Sequence, residues 1–238
     1  MNPKVKKIKD MFDRSALKAN RMEAVHYCSK TADEVLIYDE IFQQIDHLLS
    51  FTKDDMVLEV GSGSGLLLER IARKVKTVFG TDISANLLNL TPAMDNIVLK
   101  QMEAQNIDFP PETFDKIVCA GVFQYFPNKE YALKSLQEMV RVCKPGGKIW
   151  IGSIFNAYLK DVYVRHFQNK NLSFPKRLLT LLRGWLKNEK LDYLFLYPYE
   201  FTEWAKILNC RSCYVLLQTS QKTDIYQRMF RFEVFIIK

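Results

Sequence analysis

The sequence predicts an α/β fold, a Rossmann-like doubly wound sheet of seven mostly parallel strands with an antiparallel last strand. Three observations support this fold class. Five short apolar runs lie between residues 56 and 153 and alternate with helical patterns. A glycine-rich turn at 61–65 separates the first run from the helical pattern behind it. The last segment, 228–238, alternates apolar and polar residues as a strand does. Apolar strands alternating with helices are typical of a parallel sheet covered on both faces.

The individual elements follow in order along the chain. Helical patterns are predicted over 4–28 and over 33–49, before the sheet begins. Parallel strands are predicted at 56–60, 77–82, 97–101, 114–120 and 148–153. Ser84 is placed to cap the helix after the second strand, and Asn128 caps a helix that Lys144-Pro145-Gly146-Gly147 ends near Cys143.

The rest of the chain departs from this alternation. Residues 156–208 are predicted to be mainly helical, and 211–219 and 228–238 are predicted to form the last two strands. The organisation is therefore a helical segment (1–50), a Rossmann-like core (51–155), a helical cap inserted after the fifth strand (156–208) and two strands that complete the core (209–238).

Composition excludes several classes of protein. The chain has 238 residues, of which 48% are hydrophobic and 26% charged, so it is neither disordered nor collagen-like. No window of about 18 residues is apolar enough for a transmembrane helix. No apolar stretch follows the basic residues 1–7, so we expect a cytoplasmic protein. No pattern assigns an oligomeric state.

The cysteines indicate neither a disulfide framework nor a metal site. There are five, an odd number, in a chain long enough to bury a core without cross-links. Cys210 and Cys213 form a single C-x-x-C with no second pair at ligand spacing, so we expect no zinc. Cys119 follows Val118 inside a predicted strand and is interpreted as a core thiol.

Positive charge is concentrated outside the core. The formal net charge is +7, and residues 160–190 carry eight Lys or Arg against Asp161 and Glu189. Aromatic and leucine residues are interleaved with these cations. The segment has three functional interpretations: a lid over an anionic or apolar ligand, a peripheral contact with an anionic membrane surface, or a nucleic-acid contact. A packed helix with a solvated basic face is the alternative.

The glycine turn and an acidic residue predict a nucleotide-like ligand. Gly61, Gly63 and Gly65 allow the backbone to approach a ligand closely, at the edge where ligands of doubly wound sheets bind. Asp82 ends the second strand, 23 residues after Glu59, where a carboxylate can accept hydrogen bonds from both hydroxyls of a ribose. Alternatively, the glycines serve helix–strand packing and Asp82 caps the following helix.

The details of the turn favour an adenosyl amino acid over a dinucleotide. Leu66 stands where a dinucleotide fingerprint has its third glycine. Glu59 lies two residues before the turn, where a carboxylate repels a pyrophosphate but attracts the ammonium of an amino-acid moiety.

Four ordered motifs resemble those of the class I S-adenosylmethionine-dependent methyltransferases. Residues 57–65, Val-Leu-Glu-Val-Gly-Ser-Gly-Ser-Gly, resemble motif I of that family. Residues 80–84 are similar to its post-I segment, 114–126 to its strand-4 motif, and 141–147 to the Lys-Pro-Gly-Gly turn before strand 5. The resemblance covers about two fifths of the chain, and it leaves 1–50 and 156–238 uncovered.

The resemblance implies a cofactor, S-adenosyl-L-methionine, and a set of cofactor-binding residues. Glu59, Gly61 and Gly63 match positions that line the methionine end, with Ser62 and Gly65 in the same turn. Asp82 matches the ribose-binding acid and Ile83 the apolar residue against adenine. The residues that match the remaining cofactor-lining positions are Glu103, Ala104, Ala120 and Phe123. Glu103 stands where the family usually has the shorter Asp.

Methyl transfer from a sulfonium depends mainly on positioning, and a general base is needed only when the acceptor must lose a proton. The candidate bases are Tyr125, His26 and His166, each of which also has a structural interpretation. Gln124-Tyr125 stands where the family often has a His-containing sequence. No Asp-Asn pair suggests a catechol-type site, so no metal is expected.

The acceptor is predicted to be a small molecule methylated on oxygen or nitrogen, such as a natural product, a sugar or a lipid-like intermediate. Ala120-Gly121-Val122-Phe123 replaces the tetrad of amino-methylating DNA enzymes. Two alternatives stay open: an RNA or protein methyltransferase that docks through 160–190, and a non-catalytic cofactor-binding subunit. A nicotinamide-dependent dehydrogenase is disfavoured by the glycine pattern.

Overall fold

The seven predicted strands form one sheet. The computed structural model describes residues 1–18, 34–163, 193–217 and 230–238. The strands are β1 Met56–Val60, β2 Thr77–Asp82, β3 Ile97–Gln101, β4 Phe114–Ala120, β5 Cys143–Phe155, β6 Ser212–Leu217 and β7 Arg231–Ile237. Their spatial order is β3-β2-β1-β4-β5-β7-β6. β1 to β5 pair in parallel, and β7 is antiparallel to both β5 and β6. The predicted fold class is therefore confirmed.

Helices flank the sheet where the sequence patterns change period. They are α1 Pro3–Lys18, α2 Glu34–Leu49, α3 Leu68–Ala72, α4 Ala85–Leu88, α5 Lys129–Val142 and α6 Pro198–Ile207. Both predicted caps are confirmed. Ser84 Oγ accepts a hydrogen bond from Leu87 N–H at 3.1 Å, and Asn128 Oδ1 accepts one from Tyr131 N–H at 2.9 Å. Each cap satisfies a backbone donor that the first helical turn leaves unpaired.

Each face of the sheet has its own hydrophobic core. Successive residues of a strand point to opposite faces, so Val57 and Leu58 enter different cores. α2 and α3 cover the first face, with the buried residues Ile45, Leu49, Leu68 and Ile71. α5 and α6 cover the second face, with the buried residues Leu136, Met139, Phe201 and Trp204.

β5 is longer than the sequence predicts. The Lys144-Pro145-Gly146-Gly147 sequence, expected to form only a turn before a strand at 148–153, lies within it. Gly146 N–H donates to Lys238 O at 2.9 Å, and Lys238 N–H donates to Gly147 O at 3.0 Å. The end of the chain therefore pairs with these residues and extends the strand.

The inserted segment is described only at its ends. Ala157–Leu159 and Pro198–Ile207 are helical, and Leu196 forms a bridge with Asn156. Residues 164–192, with most of the basic segment and His166, lie outside the described residues, as do 19–33 with His26. The division of the chain into four segments stays a prediction. No helix in the described ranges is long and apolar enough to cross a membrane.

A buried carboxyl group on β7 links α2 to the sheet. Glu233 is 2% exposed, and its Oε2 accepts hydrogen bonds from Gln44 Nε2 at 2.8 Å and from Trp150 Nε1 at 3.2 Å. Burial raises the pKa of Glu233 to about 7, and the Trp150 hydrogen bond opposes that rise. The folded protein therefore keeps a proton that the unfolded chain releases nearer pH 4.5.

This difference in pKa makes the stability of the fold depend on the protonation of Glu233. Because the folded-state pKa is raised, stability from Glu233 is present below about pH 4.5 and is lost as the pH rises through 7. We expect Glu233→Gln to gain up to about 3 kcal/mol relative to the unsubstituted protein between pH 5 and pH 8. Urea unfolding at several pH values measures this difference. Glu203→Gln, at an exposed position, is the control, and parallel stability curves for Glu233→Gln and the parent would contradict the prediction.

Candidate functional site

The glycine turn is held against the end of β2 by backbone hydrogen bonds. Gly61 N–H and Ser62 N–H both donate to Thr81 O, at 2.7 and 2.9 Å. Gly63 N–H donates to Asp82 Oδ2 at 2.9 Å. The turn therefore lies at the carboxyl edge of the sheet, between the ends of β1 and β2, where ligands of this architecture bind.

Two glycines of the turn are required by backbone conformation and by packing. Gly61 and Gly65 each have a φ of +74°, in the left-handed region. A Cβ at Gly61 would lie 2.3 Å from Val122 Cγ2, and one at Gly65 would lie 2.4 Å from Thr91 Cγ2. Packing thus accounts for part of the glycine pattern, as the alternative interpretation proposed.

Asp82 is buried, and its carboxyl group links the glycine turn to the residue that caps α4. Its Oδ2 accepts from Gly63 N–H, and its Oδ1 accepts from Ser84 N–H at 2.9 Å. Burial raises the pKa of Asp82 to about 6, while those two N–H groups act in the opposite direction. A carboxylate has about four lone-pair positions, so each oxygen can accept one more hydrogen bond.

Glu59 is the most unusual group of the site. It is 3% exposed, and its Oε2 has no hydrogen-bond partner within the described ranges. Burial raises the pKa of Glu59 well above its usual range, and the nearby Asp82 charge adds to that rise. Ser62 Oγ, also buried, is likewise unpartnered among the described residues. Native proteins rarely leave buried polar atoms unsatisfied, so the residues of this pair fit a site for a polar ligand.

The N-terminal helix connects the two sides of the site. Ser84 Oγ donates to Asp13 Oδ1, and Asn86 Nδ2 donates to Asp13 O at 3.4 Å. The neighbouring Phe12 ring lies edge-on to the Tyr125 ring, with centroids 5.4 Å apart. α1 therefore spans from the end of β2 to the segment behind β4.

The end of β3 continues the site on the other side of Asp82. Met102 N–H donates to Asp82 O at 3.0 Å, which places Glu103 and Ala104 beside the end of β2. Ile83 is half-buried at the same edge, and its carbonyl accepts a hydrogen bond from Gln101 Nε2 at 2.8 Å. The structure thus brings the predicted ribose and adenine positions together at one edge.

The residues after β4 divide between core and site. Phe123 is 1% exposed, and its ring packs against Phe126 and Phe201, with centroids 4.8 and 5.6 Å away. This ring serves the core, and any contact of Phe123 with a cofactor stays a prediction. Ala120 is half-buried at the end of the strand, and Tyr125 is half-buried behind it.

Aromatic side chains line the same edge beyond Tyr125. Neighbouring ring centroids in this group, the aromatic wall, lie 4.9 to 5.8 Å apart. Its members are Tyr125, Phe155, Tyr163, Tyr193, Phe195 and Phe230. Two cations lie over it: the Arg231 guanidinium is 4.8 Å from the Phe155 centroid, and Lys160 Nζ is 5.6 Å from that of Phe195. Phe155 and Phe230 are buried within the wall, and its other four rings are half-buried.

The cysteines do not extend the site. Cys119 is fully buried in β4, which confirms its interpretation as a core thiol. Cys210 and Cys213 are free thiols whose pKa values are raised by burial. Within the described residues no three His, Cys, Asp or Glu side chains are grouped to hold a metal ion. His26 and His166 lie outside those residues, which leaves Tyr125 as the one candidate base that the structure places.

Sequence reasoning missed polar partners that come from distant elements. Asp13 reaches Ser84 from α1, and Tyr131 OH donates to Glu103 Oε2 at 3.1 Å from α5. Neither residue belongs to a motif. The sequence predicted only that the two segments are helical.

Comparisons with known proteins identify the central part of the chain. Residues 58–151 match the family described as methyltransferase domain. A phosphatidylethanolamine N-methyltransferase of Cereibacter sphaeroides is 37% identical over 109 residues, which are 42% of this chain and 50% of that protein. A ubiquinone biosynthesis O-methyltransferase of Coxiella burnetii is 27% identical over 165 residues, 65% of this chain and 62% of that one. The chain thus spans about half to three fifths of the length of these relatives.

Solved structures show the same fold over the whole chain. The magnesium protoporphyrin IX methyltransferase of Synechocystis PCC 6803, solved with bound S-adenosylhomocysteine, aligns with a TM-score of 0.63 and 12% identity. The alignment covers 99% of each chain. An S-adenosylmethionine-dependent methyltransferase structure from Methanococcus maripaludis aligns with a TM-score of 0.59 and 19% identity, over 100% of this chain and 95% of that one.

Glycine is required at Gly65 by its left-handed backbone conformation and by the space that a Cβ would need, and the two effects can be measured separately. Gly146 has the same φ as Gly65, +74°, but a Cβ there would meet nothing within 4 Å. We expect Gly146→Ala to cost about 1–2 kcal/mol, from the left-handed backbone alone. Gly65→Ala should cost about 1–3 kcal/mol more, because its Cβ collides with Thr91. Urea unfolding measures both, and equal losses would show that the collision is relieved at no cost.

Proposed function

Because residues 58–151 form a domain of the class I S-adenosylmethionine-dependent methyltransferase family, we propose that the whole chain methylates an oxygen or nitrogen of a small-molecule acceptor. The observation that carries the proposal is the pair of buried carboxyl groups, Glu59 and Asp82, on either side of the glycine turn. Glu59 Oε2 accepts no hydrogen bond from the described residues, and each oxygen of Asp82 can accept one more.

The donor set fits the cofactor. A buried carboxylate such as Glu59 matches the ammonium of an amino-acid moiety, since an opposite charge offsets the cost of its burial. Asp82, held by two backbone N–H groups, matches a ribose with two adjacent hydroxyls. Bound S-adenosylmethionine supplies an electrophilic methyl carbon on a sulfonium. The chain's own part is to hold both partners in line and to exclude water.

The half-buried rings of the aromatic wall, those of Tyr125, Tyr163, Tyr193 and Phe195, support an acceptor with an apolar body. Tyr125, Phe155 and Phe230 follow β4, end β5 and precede β7, so they lie at the same edge as the glycine turn. Arg231 and Lys160 favour an acceptor that also carries negative charge. The names of two relatives, a phosphatidylethanolamine N-methyltransferase and a ubiquinone biosynthesis O-methyltransferase, agree with a lipid-like acceptor.

Cofactor binding should depend on pH through Asp82. The carboxylate must be ionised to accept from both ribose hydroxyls, and its pKa in the free protein is raised to about 6. We expect the affinity for S-adenosylhomocysteine to rise from pH 5 to pH 7.5, by about tenfold per unit below the pKa. In Asp82→Asn the affinity should be at least about tenfold weaker at pH 7.5, as expected for lost hydrogen bonds to a charged group, and its pH dependence should fall to the part that comes from Glu59.

Isothermal titration calorimetry makes this measurement, with Asp95→Asn, an exposed carboxyl in the loop before β3, as the control. NADH should not bind. A parent protein that binds NADH and not the adenosyl ligand would refute the cofactor assignment. Binding without turnover of any acceptor would favour the non-catalytic subunit, and turnover of RNA that falls steeply with salt would favour the nucleic-acid alternative.

Tyr125 is proposed to shape the acceptor site with its ring. Its ring is packed edge-on between Phe12 and Tyr193. We expect Tyr125→Phe to keep kcat within a few-fold, and Tyr125→Ala to raise KM for the acceptor because the wall loses a ring. Steady-state kinetics on the first active acceptor test this. A fall in kcat of about 10²-fold or more in Tyr125→Phe would instead assign the hydroxyl as the general base.

A further inference from the structure

Glu103 is held by two donors through one of its two oxygens. Tyr131 OH donates to Glu103 Oε2 at 3.1 Å, and Gln105 Nε2 donates to the same oxygen at 3.2 Å. Across the described ranges the other oxygen, Oε1, accepts no hydrogen bond. An anchored carboxylate with one open oxygen is suited to present that oxygen to a ligand donor.

Tyr131 is fixed more firmly than the carboxylate it holds. It lies in the first turn of α5, where its N–H donates to Asn128 Oδ1. Its side chain is buried at 7% exposure, and its ring centroid lies 4.9 Å from that of Phe126. Burial raises the pKa of the hydroxyl, and Glu103 adds to that rise, so the group stays a donor at neutral pH. The helix thereby fixes the position of the Glu103 carboxylate, at the end of a side chain that would otherwise be flexible.

The end of β3 places Glu103 beside the ribose position. An open cleft of about 530 Å³ borders Met102, Glu103 and Gln105, and neither Asp82 nor Ile83 lines it. Met102 is also tied to the end of β2 through its bond to Asp82 O. If a nucleoside binds with its ribose at Asp82, its base therefore lies near Glu103.

We propose that Tyr131 is a positioning residue for base recognition: it anchors Glu103 so that the free oxygen accepts from the 6-amino group of adenine and rejects a 6-oxo purine. The inference rests on the proposed function, since it presupposes an adenosyl ligand at Asp82. A carboxylate distinguishes the two purines because it can only accept hydrogen bonds. The 6-amino group of adenine donates one, and a 6-oxo group, which only accepts, cannot. Glu103 is one methylene longer than the usual Asp, and the two donors remove the freedom that this length adds.

The test compares S-adenosylhomocysteine with S-inosylhomocysteine, which differs only at the purine 6-position, by calorimetry on the full chain. We expect the parent to prefer the adenosyl ligand. Tyr131→Phe keeps the ring and removes the hydroxyl, so it should reduce that preference roughly five- to tenfold, as expected for the loss of one ordinary hydrogen bond. Tyr214→Phe, on β6 at the opposite edge of the sheet, is the matched control and should change nothing.

A second variant tests orientation directly. In Glu103→Gln, the Tyr131 hydroxyl should hold the amide oxygen, which turns the amide N–H₂ toward the purine and shifts the preference to the inosyl ligand. Adding Tyr131→Phe to this variant should abolish that shift, because the amide can then rotate. Thermal unfolding of each variant serves as the measure of folding, and a purely structural role for Tyr131 would change stability and leave the ligand ratio unaltered.

The outcomes separate the two proposals. If the parent binds the adenosyl ligand and Tyr131→Phe leaves the adenosyl-to-inosyl ratio unchanged, the positioning role is overturned and the cofactor assignment stands. If the parent binds neither ligand, both proposals are overturned.

Discussion

The hydrogen bonds between the glycine turn and the end of β2 are the constraint on which the site depends. Thr81 O accepts from Gly61 and Ser62, and Asp82 accepts from Gly63. Because β1 and β2 are paired in register up to Val60 and Thr81, the turn cannot move without moving the sheet. The positions of Glu59 and Asp82 are therefore set by the most buried part of the fold, and the helices only close the space around them.

The sequence predicts the central strands well because their signals are local. β1 to β4 begin and end where apolar runs meet turn residues, and the structure has them at the predicted residues. β5 differs because its first residues pair with Lys238, far along the chain, and no local pattern records that contact. The same limit applies to the inserted segment, where the composition predicts helix but an isolated bridge joins Asn156 to Leu196.

The site was predictable to the extent that its residues share a motif. The turn, Asp82 and the residues after β3 and β4 follow the strands in chain order, so a pattern places them at one edge. Asp13 and Tyr131 reach this edge from helices, and their partners lie 71 and 28 residues away in sequence. Contacts of that kind depend on how a helix docks. Such docking is a property of the packed structure, and spacing along the chain does not encode it.

The two buried carboxyl groups, Glu59 and Asp82, indicate that this part of the protein binds a ligand and does more than hold the fold. Their raised pKa values mean that burial opposes their charge; the Asp82 charge adds to the rise at Glu59, and the Asp13 charge adds to the rise at Asp82. Asp82 uses both oxygens to accept from Gly63 and Ser84, but Glu59 Oε2 accepts no hydrogen bond among the described residues, so its charge does not serve to hold the turn. The folded protein loses stability because it buries two groups that can be charged. A ligand with a positive charge and hydroxyl donors would offset that loss when it binds, which gives a reason to keep ionisable groups at this place. In this site, part of the protein's stability has been given up for affinity, as is common for binding sites built in a preformed fold.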